Sequence, residues 1–134
     1  MKQWDAFIEA TIDAIHFNAE KRELSFDVTC QLESGHRKRL VIDGVDDFVA
    51  NEMRLQNIID RIHQYRGDET EAARCLFFLM RGREPEEDEL RWPQLVEKLD
   101  HVRTGRRVLL EIEPVYGATL IILGENVRLE SIGD

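Results

Sequence analysis

Residues 23–32 alternate without a break. Leu24, Phe26, Val28, Cys30 and Leu32 are apolar, and the intervening Glu23, Ser25, Asp27, Thr29 and Gln31 are polar. This alternation points successive side chains to opposite faces of a sheet. It predicts a strand with one face on a core and the other toward water, the habit of antiparallel sheets. Upstream, Ile15 and Phe17 alternate with His16 and Asn18, and residues 18–22 supply a turn. Downstream, Glu33-Ser34-Gly35-His36 reads as a turn, and 38–43 as a returning strand with Leu40 and Ile42 inward. Residues 13–43 therefore predict a three-stranded meander.

Elsewhere the period lengthens. Trp4, Phe7, Ile8 and Ile12 predict a short helix over 3–12. Val45, Phe48, Val49, Met53, Ile59 and Ile62 fit a helical stripe over 45–65. Asn51 and Asn57 weaken that stripe, because Asn competes for backbone hydrogen bonds. Asn57-Ile58-Ile59-Asp60 also fits the start of an edge strand; helix is the favoured reading. Ala72, Ala73, Leu76, Leu79 and Met80 predict a helix over 69–81, with Asp68 and Glu71 at capping-box spacing and Gly82 as the stop. Pro93 suits a first helical turn. Leu95, Val96, Leu99 and Val102 follow at helical spacing, and Gly105 ends that helix.

The last third returns to strands. Val108, Leu110 and Ile112 share a face, Pro114 and Gly117 mark a turn, and Val127 and Leu129 alternate with Arg128 and Glu130. Residues 118–123, apolar but for Thr119, form a run expected of a strand buried on both faces. The predicted fold is α+β. A mainly antiparallel sheet, built from the N-terminal meander and the C-terminal strands, packs against two to four helices. Residues 1–134 read as one domain, because no repeat, linker or low-complexity stretch divides them.

Composition narrows the function classes. Apolar residues make up 43% of the 134, too many for a disordered chain. No apolar run reaches the ~20 residues of a membrane-spanning helix. Eighteen Lys and Arg against 27 Asp and Glu give a net charge of −9, which opposes general binding to nucleic-acid phosphates. Cys30 and Cys75 lie far apart, so a reducing compartment is expected. Asp5, Glu9 and Asp13 interrupt the N-terminus where a signal peptide would be apolar. A cytoplasmic protein is expected.

Chemical motifs are few. His16, His36, His63 and His101 show no metal-ligand spacing, and neither cysteine has a partner for one. No metal or other cofactor is expected. Ser25, Ser34 and Ser131 sit in no nucleophile elbow. Cys30 lies on the apolar face of a strand, where a thiol behaves as a small hydrophobe. The single glycines suit turns and caps rather than a phosphate cradle. An enzyme would need a cleft gathering distant polar residues such as Arg54, Asp60, His63 and Tyr116. No catalytic residue is assigned.

Charge clusters are the distinctive feature. Five of the six residues 84–89 are carboxylates. One charge run alone reads as a solvated loop. With the net charge it also suits a basic partner, because complementary charge speeds association and selects partners. Trp92 is either an aromatic anchor for that partner or a residue packed beside Pro93. Two basic clusters, 36–39 and 103–107, flank turns beside strands. They lack interleaved aromatics, so they predict edge cations that discourage aggregation rather than a nucleic-acid platform.

The small size, the acidity and the order of α and β elements resemble bacterial toxin-immunity proteins. The stretches Gly44-Val45-Asp46-Asp47-Phe48 and Arg54-Leu55-Gln56-Asn57-Ile58-Ile59 are similar to those of related uncharacterised bacterial proteins. The resemblance covers about half of the chain. It implies a non-enzymatic protein-binding module that neutralises a cognate basic toxin through an acidic surface. That surface is placed at Glu84, Glu86, Glu87, Asp88, Glu89 and Trp92. The alternative is a small acidic secretion chaperone, a class commonly found as homodimers. Such chaperones usually end on a closing helix, whereas this chain ends on strands. Neither reading involves nucleic acid or a membrane.

Overall fold

The apolar run of residues 118–123 becomes a strand whose two faces enter two different cores. Its Leu120 and Ile122 join one buried cluster, and Ile121 and Leu123 join the other. The computed structural model describes residues 2–133. Its strands are β1 (Thr11–Asn18), β2 (Glu23–Cys30), β3 (His36–Asp43), β4 (Asp47–Asn51), β5 (Ile58–Tyr65), β6 (Val108–Tyr116), β7 (Thr119–Gly124) and β8 (Asn126–Ser131). All eight belong to one sheet, in the order β4-β7-β6-β5-β1-β2-β3-β8, and every neighbouring pair is antiparallel. The helices are α1 (Thr70–Arg81) and α2 (Pro93–Arg103), with short 3-10 segments at Lys2–Phe7, Gln31–Glu33 and Glu87–Arg91. The α+β class and the predominantly antiparallel sheet are as expected. The helical complement is two α-helices.

The sheet folds on itself. Its two four-stranded halves meet at β1 and β5, which pair only at Thr11 and Ile58. Leu24, Phe26, Leu40 and Ile42 of one half share a core with Ile59, Ile112, Leu120 and Ile122 of the other. The Phe17 ring of β1 meets the Phe48 ring of β4 edge-on at 4.9 Å. The second core lies between α1, α2 and the outer face of β6 and β7. It contains Leu76, Phe77, Leu95, Leu109 and Ile121.

The expected helix over 45–65 is instead two strands, for two reasons. Phe48 and Ala50 pack on the inner core while Val49 packs on the helix-side core, so the apolar stretch is a strand covered on both faces. In β5 the three-residue spacing of Ile59 and Ile62 comes from a bulge. The ladder slips between Ile59 and Arg61, and both isoleucines face the core. An extra residue in a strand changes its period from two to three.

The N-terminal helix is also shorter than expected. A 3-10 segment buries Trp4 and Phe7, Glu9 turns the backbone at φ 63°, and β1 begins at Thr11. The apolar face of β2 stops at Cys30, and Leu32 lies exposed in the next segment. The polar face of β2 does not meet water throughout: Ser25 and Asp27 are buried. Val96 points outward from α2. Asp68 and Glu71 form no capping box. Glu69 precedes α1 instead, and its carboxylate accepts N–H bonds from Arg66 (3.0 Å) and Gly67 (2.8 Å). Gly82 does end α1, at φ 76°, with its N–H on the Phe78 carbonyl. Pro114 lies within β6 rather than in a turn. It sits beyond the last β6–β7 pair, Ile112–Leu120, so its missing N–H breaks no bond to β7.

The basic clusters are not edge devices. β3 lies inside the sheet, between β2 and β8. Lys38 pairs with Glu33 at 2.7 Å, Arg39 with Asp27 at 2.6 Å, and Arg107 with Asp46 at 2.6 Å. These three cations are paired within the fold. Both cysteines are buried free thiols. Among the described residues, no helix is long and apolar enough to cross a membrane.

Candidate functional site

Strand alternation places Glu111 and Glu113 on the face of β6 opposite Leu110 and Ile112. That face is roofed by helix α1. Beside Glu111, the first turns of α1 and strands β4, β5 and β7 enclose a cavity of about 350 Å³. Four carboxylates line it: Glu52 after β4, Glu71 on α1, Glu84 after α1 and Glu111. Arg74 is the one cationic lining group.

The floor is hydrogen-bonded. The Tyr65 hydroxyl donates to Glu111 at 2.6 Å, a length typical of a charge-assisted O–H···O bond. Cys75 lines the same cavity as Glu111. Burial pushes the Tyr65 phenol well above its ordinary range, and the Glu111 bond adds to the effect. Burial likewise raises the Cys75 thiol, with the Glu111 charge next in effect. Both groups therefore hold their protons. Such a thiol is no nucleophile, because reactivity belongs to the thiolate. Next to this floor, His63 pairs with Glu113 and its ring stacks on Tyr65, with centroids 5.8 Å apart.

Glu84 belongs both to the cavity wall and to the acidic segment. The segment is an ordered turn. Glu86 caps the 3-10 segment Glu87–Arg91 in a reciprocal box with Glu89. Glu89 accepts two bonds from the Arg83 guanidinium, at 2.6 and 2.9 Å. That guanidinium holds its carboxyl down at about 2. Trp92 is half-buried, edge-on to Phe77 at 5.9 Å and capped by the Arg81 guanidinium at 5.3 Å. Glu89 and Trp92 thus have partners inside the chain. Glu84, Glu86, Glu87 and Asp88 are exposed. Among the described residues they have no ion-pair partner.

The four residues named for an enzymatic cleft do not converge. Asp60 and His63 line a separate open hollow with Trp4 and Arg61. Arg54 is held at the β4–β5 loop by Asn57. Tyr116 stands opposite Ile58, five residues from His63 along β5, roughly 17 Å at strand spacing. Among the described residues, no group of three His, Cys, Asp or Glu side chains is arranged to hold a metal ion.

Sequence reasoning missed Glu52, Glu71 and Glu111 as companions of Glu84. One signal was present: Glu111 and Glu113 alternate with core residues in a predicted strand. Compared with protein-family models, curated proteins and solved structures, the chain shows no significant match to any of them.

Proposed function

We propose that the chain is a protein-binding module for a basic partner, of the kind that immunity proteins exemplify. The observation that carries this reading is the continuity of the four-carboxylate cavity with the exposed Glu84–Asp88 turn. The cavity is large enough to admit a Lys or Arg side chain, and its lining carries three more carboxylates than cations. The capped turn beside it presents further carboxylates in a fixed geometry, which lowers the ordering cost of binding. Basic side chains of a folded partner are the matching chemistry. A toxin acting on nucleic acid carries such a surface, and an acidic inhibitor competes for it.

A second reading, the secretion chaperone, is favoured by a different surface. Met53, Leu55, Val115 and Tyr116 are exposed apolar residues around the β4–β5 loop and the end of β6. A chaperone would use such a surface for an extended client.

Affinity capture from the source cell separates the two. The bait is the tagged chain, compared with a Glu86→Lys, Glu87→Lys, Asp88→Lys variant. One folded basic protein, lost on charge reversal, supports the inhibitor reading. Several unfolded clients, retained on charge reversal, support the chaperone. A single partner indifferent to the reversal refutes the acidic docking surface.

A further inference from the structure

β8 is an end strand of the sheet, and among the described residues only β3 pairs with it. Ile132 donates its N–H to the Arg37 carbonyl at 3.1 Å, in register with the β3–β8 ladder. Backbone groups alternate sides along an antiparallel strand. Arg128 and Glu130 therefore turn their backbone toward β3. Val127, Leu129 and Ser131 turn theirs to the open edge. Leu129, opposite the core residue Leu40, is 40% exposed.

The side chains along this edge complement themselves. We propose that β8 pairs antiparallel with β8 of a second copy of this chain, in the register centred on Leu129, which continues the sheet through a two-fold axis. In this register Leu129 meets the partner's Leu129, which extends the apolar face at the rim of the core. Arg128, which within its own chain pairs with Glu130, with Asp43 at 3.0 Å and with Glu23 at 3.5 Å, stands opposite the partner's Glu130, and Glu130 opposite the partner's Arg128, so the same charges continue as one network across the axis. These are non-hydrogen-bonded positions, where opposed side chains approach most closely. Sliding the register by two residues in either direction sets Arg128 against the partner's Arg128, or Glu130 against the partner's Glu130. The charge order thus selects one register, which charges that merely block an edge would not do. Such an interface is isologous, as a closed dimer requires. It is also short, so association in the micromolar range is expected rather than an obligate dimer. The acidic turn lies on the other half of the sheet, so the dimer presents two copies of it.

Sedimentation equilibrium of the full chain tests this, from about 1 to about 500 µM. The wild type is expected to shift from one to two chain masses across that range. Leu129→Pro removes an N–H that points to the open edge and breaks no β3–β8 bond, so it should fold and stay monomeric. Glu130→Arg places like charges opposite each other twice and should weaken the dimer on the order of tenfold. Should Leu129→Pro fail to fold by circular dichroism, the Glu130→Arg variant decides alone. A wild type that stays monomeric at the highest concentration overturns the proposal. So does a dimer unaffected by Glu130→Arg.

Discussion

Tyr65 on β5 reaches diagonally to Glu111 on β6, whose direct cross-strand partner is His63, and the phenol donates to the carboxylate at 2.6 Å. This bond fixes the cavity floor, and Cys75 lines the same cavity. The phenol and the thiol both ionise less readily in the fold than in the open chain. The folded state therefore keeps protons that the unfolded chain gives up. The associated stability is complete below about pH 8.5. It is lost as pH rises from the ordinary thiol and phenol values of about 8.5 and 10 toward the raised values of the folded state. Urea midpoints measured from neutral to alkaline pH should fall in that window. Tyr65→Phe should cost about 1 kcal/mol at neutral pH and remove the upper part of the fall. An unchanged alkaline profile in that variant would contradict the assignment.

Asp27 is buried on β2 and accepts two bonds from Arg39, at 2.6 and 3.2 Å. The hydrogen-bonded guanidinium holds its carboxyl below the usual range. The contribution is present above the ordinary carboxylate value of about 3.9 and is lost as pH falls through the lower, folded value. Asp27→Asn should destabilise by about 1–2 kcal/mol at neutral pH and flatten the acid limb of an unfolding-midpoint series. Equal acid sensitivity in wild type and variant would refute this.

Asn57 ties two loops together. Its side-chain oxygen accepts from the N–H of Arg54 (3.1 Å) and of Ala118 (3.0 Å), and its amide donates to the Arg54 carbonyl (2.9 Å). Gly117, at φ 95°, passes so close that an added Cβ would sit 2.3 Å from that oxygen. Asn57→Ala should lower stability by about 2–4 kcal/mol, because it strands buried backbone groups. Gly117→Ala should also destabilise, through both its backbone angle and the clash. Thermal melts of the two single variants and the double check this: the effects should be less than additive, since both break one junction.

The acidic turn carries its own signature. The Glu89 carboxyl should titrate near 2 in a carboxyl-resolved NMR experiment, and Arg83→Ala should raise it, because Arg83 supplies the leading hydrogen bond. A Glu89 value unmoved by that substitution would remove the basis for a pre-ordered turn.

The strands that were legible in the sequence are those with simple alternation or a two-faced apolar run. β1, β2, β3, β6, β7 and β8 followed from pattern alone, as did α1 and α2. Where the period was altered, reading failed. The bulge at Asp60 gave β5 a three-residue spacing, and the two-faced burial of β4 imitated a helical stripe. Of the candidate site, the carboxylate run was visible because its members are neighbours in sequence. Glu52, Glu71 and Glu111 reach Glu84 only through the sheet order β4-β7-β6-β5 and the seating of α1. Local spacing does not encode that order. Trp92 looked available because Phe77 and Arg81, which flank its ring, belong to a different helix.

The most direct test of the binding surface is hydrogen–deuterium exchange of the chain, alone and saturated with the basic protein that it captures. The account predicts slowed exchange in 84–92, around Glu52 and over the first turns of α1, with the N-terminal meander unchanged. Protection confined to the meander or to the Met53–Tyr116 patch, with the acidic turn exchanging as in the free chain, would contradict it.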